Sequence, residues 1–187
     1  MNTARSNLLL KSALAMALAV PMLASAESER VSSGTASARL NFEVKIPRVL
    51  FLGVGTGASG LTANATIDTL VFDYTNTPAA VGTGTDSATQ GVDVRVLGND
   101  GQITLAAAGS GSGLVNGAEV IPWSEILATS NDQTNLAVPT VGGTATPLLN
   151  STKVTSRTAT WNYAYSNTNV VAPGTYTGQI TYTASMP

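Results

Sequence analysis

The sequence contains no cysteine and no histidine. Without them there is no disulfide framework, no zinc site built on Cys or His, and no Ser-His-Asp or Cys-His catalysis. Charge is also scarce. Only 11% of residues are Asp, Glu, Lys or Arg, against about 25% in an ordinary soluble domain. Thr, Ser, Ala, Gly and Asn take their place. The basic residues are scattered and the formal net charge is −2, whereas phosphate neutralisation needs clustered cations. Nucleic-acid binding is therefore not expected. Nor are catalysis, a cofactor or a metal site, which leaves binding or assembly.

The N-terminus points to export. Arg5 and Lys11 form a positive start, an Ala- and Leu-rich run extends from Ser12 to Leu23, and Ala24-Ser25-Ala26 is a small-x-small cleavage site. The apolar run is shorter than the roughly 20 residues that a membrane span needs. Residues 1–26 are predicted to be a signal peptide, and residues 27–35 a mobile polar stretch. The mature chain is then expected to leave the membrane and to carry more negative charge, because the leader holds two basic residues and no acid. A secreted chain without disulfides must be held by its core or by its neighbours in an assembly.

Period-two alternation dominates the chain from residue 36 onward. Ala36, Ala38, Leu40, Phe42, Val44 and Ile46 alternate with Ser37, Arg39, Asn41, Glu43 and Lys45, which predicts a strand with one apolar face. Pro47 ends or bends it. Arg48 to Val54 is nearly all apolar and reads as a strand buried on both sides. Asp68 to Tyr74 puts Leu70, Phe72 and Tyr74 on one face. Gly91 to Leu97 and Gln102 to Ala107 flank the turn Gly98-Asn99-Asp100-Gly101 and are predicted to pair as a hairpin. Residues 110–117 read as a Gly/Ser loop, and Ile121 to Ile126 as either a helical turn or a short strand. Asn135–Thr140 and Lys153–Thr155 are weak strand signals, and the 109–157 region suggests no function. Thr158 to Tyr165 and Tyr176 to Met186 alternate cleanly again. No stretch after the leader keeps a helical period. About seven to nine short strands predict an all-β, immunoglobulin-like antiparallel sandwich over residues 36–187, including an N-terminal strand at 36–47.

Several chemical patterns resolve into structure. Gly55-Thr56-Gly57-Ala58-Ser59-Gly60 matches G-x-G-x-x-G, but Leu61 to Ile67 has no helical face to meet a pyrophosphate, so a loop is expected. The acids Asp68, Asp73, Asp86, Asp93, Asp100, Glu119, Glu125 and Asp132 are isolated and read as solvated surface charge. Trp161, Tyr163, Tyr165 and Tyr176 could form an exposed aromatic strip. Their shared strand face favours core packing.

The two ends of the mature chain resemble a known family. The alternating segment 36–46, with Pro47 and Val49-Leu50-Phe51-Leu52 after it, is similar to the N-terminus of colonisation-factor (alpha) class chaperone–usher pilins. The ending Pro173-Gly174-Thr175-Tyr176-Thr177-Gly178-Gln179-Ile180-Thr181-Tyr182-Thr183 looks like their final G-x-Y-x-G strand. That ending also resembles WxL-type cell-wall domains, although Trp123 and Trp161 have Glu125 and Tyr163 two residues on, not Leu. The pilin resemblance implies a periplasmic chaperone, an outer-membrane usher and a homopolymer at the cell surface used in adhesion. It also implies that Ala36, Ala38, Leu40, Phe42, Val44 and Ile46 form a polymerisation strand. The alternative expectation is a monomeric secreted module that binds carbohydrate or cell wall.

Overall fold

The computed structural model describes residues 28–187, so the predicted signal peptide lies outside the described residues. The chain divides into two units, Met1–Ile46 and Pro47–Pro187. In the first, no described residue belongs to a strand or helix, so the N-terminal strand predicted at residues 36–47 is not part of the sandwich, whose first strand begins at Leu50.

The second unit holds the nine strands of the described residues: β1 (Leu50–Val54), β2 (Gln90–Gly98), β3 (Thr104–Gly109), β4 (Gly113–Asn116), β5 (Glu119–Pro122), β6 (Ile126–Ser130), β7 (Thr144–Ala145), β8 (Thr155–Tyr165) and β9 (Ile180–Ser185). They form a four-stranded sheet in the order β1-β2-β8-β6, a three-stranded sheet β7-β3-β9, and the β4-β5 hairpin. Every pairing is antiparallel. The only helical pieces described are 3-10 turns at Gly55–Ser59, Pro78–Ala80 and Trp123–Glu125.

Alternation places the core. In β2, Val94 and Val96 point inward. In β8, Ala159, Trp161 and Tyr163 do so, with Val94 opposite Ala159 and Val92 opposite Trp161. Leu105 of β3 and the connecting residues Ile103 and Leu136 meet them from the other sheet, and Tyr182, Ala184 and Met186 pack around the edge. Side chains of both sheets thus share one apolar layer. This is the immunoglobulin-like antiparallel sandwich that the period-two pattern predicts. Trp161 is fully buried, and its indole N–H donates to the carbonyl of Leu136 at 3.2 Å, which satisfies the ring's polar atom.

Four local expectations are corrected. The run Arg48–Val54 is not buried on both sides: β1 is a sheet edge that pairs only with β2, and Leu50 is exposed. Strands β2 and β3 do not form a hairpin, since β3 pairs with β7 and β9 in the other sheet. The polar groups of the intervening turn bond outward instead. Asn99 accepts from the Val49 N–H at 2.8 Å and donates to the Pro47 carbonyl at 2.8 Å, while the Gly101 N–H donates to the Lys153 carbonyl at 3.0 Å. The Gly/Ser stretch 110–117 contributes β4, and Ile121 to Ile126 contains both structures weighed for it, strand β5 and then a 3-10 turn. Finally, Asp68–Tyr74 turns Leu70, Phe72 and Tyr74 toward the interior but joins no ladder.

Candidate functional site

A groove of about 800 Å³ opens in the second unit. One wall is residues 69–75 and the other residues 171–177, with Leu114, Ile121, Ile126 and Tyr165 between them. Neither wall is a strand of a sheet. Residues 69–73 have no backbone–backbone hydrogen bond among the described residues; only the Gln90 side-chain amide reaches the Val71 carbonyl. Residues 171–176 likewise have no backbone–backbone hydrogen bond among the described residues, although the Ala172 carbonyl accepts from the Tyr176 hydroxyl at 2.9 Å and the Pro173 carbonyl from the Asn116 amide at 3.4 Å. The first backbone partner is at Thr177, which exchanges two bonds with Val115 at 2.9 and 3.0 Å. β6, whose Ile126 lines the groove, is itself an edge strand. A cleft with an apolar floor and unpaired backbone along both walls has the properties of a sheet lacking one strand. Tyr74 stands edge-on to Tyr165 with ring centroids 5.9 Å apart, and its hydroxyl oxygen is buried without a partner.

The first unit carries the complementary pattern. Ala36, Ala38, Leu40, Phe42, Val44 and Ile46 are all exposed, Phe42 to 84% and Val44 to 81%. On the polar set, Glu43 and Lys45 form an ion pair of 3.3 Å. A contiguous exposed apolar row on a segment outside any ladder is not the usual fate of such residues.

The predicted aromatic set divides. Trp161, Tyr163 and Tyr165 are buried, and only Tyr176 is half-exposed, where it lines the groove. The four side chains form no exposed strip. Burial pushes the Tyr163 hydroxyl pKa well up, and the neighbouring Tyr182 adds to the shift. Gly55–Ser59 is a short 3-10 turn laid on β1, so close that a Cβ on Gly53 would sit 2.6 Å from the Gly57 carbonyl. Asp68 holds that turn by accepting from the backbone and hydroxyl of Thr56, and these bonds lower its pKa. Of the glycines at 55, 57 and 60, only Gly55, at φ 68°, is packed so closely that a Cβ would collide, with the Asp68 carboxylate.

One acid departs from the expectation of solvated charge. Glu125 is buried, at 8% exposure. Its carboxylate accepts from the Thr168 hydroxyl, the Ser166 hydroxyl at 2.7 Å, the Thr168 N–H at 3.0 Å and the Asn169 amide at 3.1 Å. These donors, the Thr168 hydroxyl first, hold its pKa below the usual glutamate range. Its partners lie 41 to 44 residues away along the chain, so no local pattern in the sequence announces the cluster. Among the described residues, no three His, Cys, Asp or Glu side chains are grouped to hold a metal ion.

No family model and no curated protein matches the chain. Among solved structures, it is similar to a chain from the structure of a chaperone–usher pilus, at 13% identity and a TM-score of 0.42, over 85% of this chain and 99% of that one. A likeness so distant bears on neither family nor function.

Proposed function

We propose that the protein is a structural subunit of an exported surface polymer, a fimbria or pilus, in which residues 36–46 of one copy complete the groove of the next. The observation that carries the reading is the pairing of two incomplete features in one chain: an exposed segment with six alternating apolar residues, and a groove whose two walls have unpaired backbone. Strand addition joins such features by main-chain hydrogen bonds, with alternate side chains filling the floor. Burying Leu40, Phe42, Val44 and Ile46 would contribute on the order of 6–12 kcal/mol before the cost of ordering the segment, taking about 1.5–3 for each side chain. Because donor and acceptor are different surfaces of one chain, the contact is heterologous and gives an open filament where the rotation does not close.

The resemblance of both chain ends to alpha-class pilins supports the same reading. Export through a periplasm with a chaperone and an usher, and use in adhesion, belong to this proposal. The burial of Trp161, Tyr163 and Tyr165 disfavours the carbohydrate-binding alternative. The test compares the chain from Glu27 onward with one lacking residues 35–46, by size-exclusion chromatography with light scattering and by negative-stain microscopy. Oligomers or filaments that vanish on deletion support the proposal. A full-length chain that stays monomeric, with a deletion that alters nothing, overturns it.

A further inference from the structure

The two walls of the groove are joined at one end by a polar knot. The wall 69–75 runs on through the 3-10 turn Pro78–Ala80 into residues 81–84, and the wall 171–177 continues directly from residues 166–170. Asn167, 1% exposed, binds these two approaches together. Its side-chain oxygen accepts from the Gly82 N–H at 2.8 Å, its amide donates to the Ala80 carbonyl, and its own carbonyl accepts from the Gly84 N–H at 2.9 Å. To do so it adopts φ 51°, and among the described residues no other non-glycine has positive φ. Asn tolerates that region better than most residues, yet the conformation persists only where its surroundings hold it. The fit is tight: Gly82 has φ 71°, and a Cβ on it would lie 2.3 Å from Val170 Cγ2.

Glu125 fastens the same knot to the sheet. Its carboxylate takes the four donors of Ser166, Thr168 and Asn169, while its backbone carbonyl accepts from the Ser166 N–H at 2.8 Å. Ionised, it offers about four acceptor sites, which suits four donors. No basic side chain pairs with it among the described residues, so the charge is balanced entirely by neutral hydrogen-bond donors. The next residue, Ile126, begins β6 and lines the groove. One carboxylate and one amide thereby connect both walls and the edge strand between them.

We propose that Glu125 and Asn167 are positioning residues for strand capture, which together clamp the two groove walls at one end and fix the spacing that an incoming apolar strand must match. This role rests on the proposed strand complementation. It assigns the specificity of the groove partly to Glu125, which lies outside the lining, and to Asn167, which lines the groove but is almost wholly buried by the walls it joins. Rigid placement of the walls before binding lowers the ordering cost and lengthens the life of the complex.

The test uses the full chain from Glu27 and a synthetic peptide of residues 35–47. Asn167→Gly keeps the left-handed backbone but removes the side-chain bonds, and Glu125→Gln keeps the shape but exchanges two acceptors for donors. Two readouts are taken: amide exchange along the chain, and dissociation of labelled peptide. Each variant is expected to raise exchange in both 69–75 and 171–177 while Val94–Leu97 of β2 stays protected. Peptide dissociation is expected to speed up by about tenfold or more, as for losing one hydrogen bond to a charged or buried group. Exchange confined to the altered loop, with dissociation unchanged, overturns the proposal. Should the unaltered chain bind no peptide while exchange in both walls still responds to each variant, strand complementation fails and the proposed role in strand capture falls with it. The clamp between the walls then remains as a separate finding.

Discussion

The hydroxyl oxygens of Tyr163 and Tyr182 lie 2.8 Å apart and share one hydrogen bond across the core. Tyr163 belongs to β8 of the four-stranded sheet and Tyr182 to β9 of the three-stranded one, so this contact is a polar bolt between the two layers. Tyr182 also packs on Trp161 with ring centroids 5.0 Å apart. Only one of the two hydroxyls donates in that bond, and each keeps an apolar ring in the core.

Removing one hydroxyl is therefore expected to be worse than removing both. Tyr182→Phe leaves the Tyr163 hydroxyl buried without a partner, which costs about 1–3 kcal/mol of stability, whereas the double change Tyr163→Phe, Tyr182→Phe is close to neutral. A double-mutant cycle in urea measures it. Additive losses for the two single changes would mean that the hydrogen bond contributes nothing of its own.

Alkaline pH acts on the same residues. Burial raises the pKa values of Tyr163, Tyr165, Tyr182 and Tyr74 above the ordinary 10.0. The folded state prefers the neutral phenol, so this stability is fully present below pH 10 and declines as pH rises beyond it. Near-UV titration of tyrosinate is expected to show a fraction of tyrosines that ionises only as the protein unfolds, and Tyr163→Phe to reduce that fraction. Ionisation of all tyrosines in a single step near the ordinary value, with the fold intact, would contradict the burial.

A slot for one indole sets the third expectation. Trp123 lies between Gly109 of β3 and Gly178 just before β9: a Cβ on Gly109 would be 2.2 Å from Trp123 Nε1, and one on Gly178 2.8 Å from Cη2. The indole N–H donates to the Gly111 carbonyl at 3.2 Å. Either Gly→Ala change forces the ring out, for an expected loss of about 1–3 kcal/mol by overpacking. Trp123 fluorescence should shift in both variants. Gly178 stands in the G-x-Y-x-G ending, and its second glycine is thereby explained by packing and not by a turn.

Alternation made much of the sandwich readable, because period two reports directly which side chains are buried. In β8 it placed Ala159, Trp161, Tyr163 and Tyr165 on the inward face, and in β2 it placed Val94 and Val96. It says nothing about backbone partners. Leu70, Phe72 and Tyr74 point inward as their spacing predicts, yet the segment has no ladder, and that missing ladder is what makes the groove. Turn composition had the same limit: Gly98-Asn99-Asp100-Gly101 does bend the chain, but Asn99 bonds to Pro47 and Val49, and β3 crosses to the other sheet. Glu125 was unreadable because every hydrogen bond to its carboxylate spans more than forty residues.

Acid is expected to loosen the groove before the core. The donors around Glu125 lower its pKa from 4.5, and those at Asp68 and Asp73 lower theirs from 3.8. A carboxylate whose folded pKa is depressed stabilises the fold fully above its unfolded value. That stability disappears as pH falls through the folded value. Above pH 4.5 the Glu125 cluster therefore contributes in full, and its contribution declines as pH falls from there through the lowered folded value. Protonation turns one acceptor into a donor facing Thr168 and Asn169, so residues 166–170 should gain amide exchange at a higher pH than Val94 and Val96 do. Glu125→Gln should flatten this difference, since its amide cannot titrate, while leaving the acid response of residues 55–59, which depends on Asp68, unchanged. If residues 166–170 and the β2 core lose protection at one common pH in both proteins, Glu125 does not control the wall.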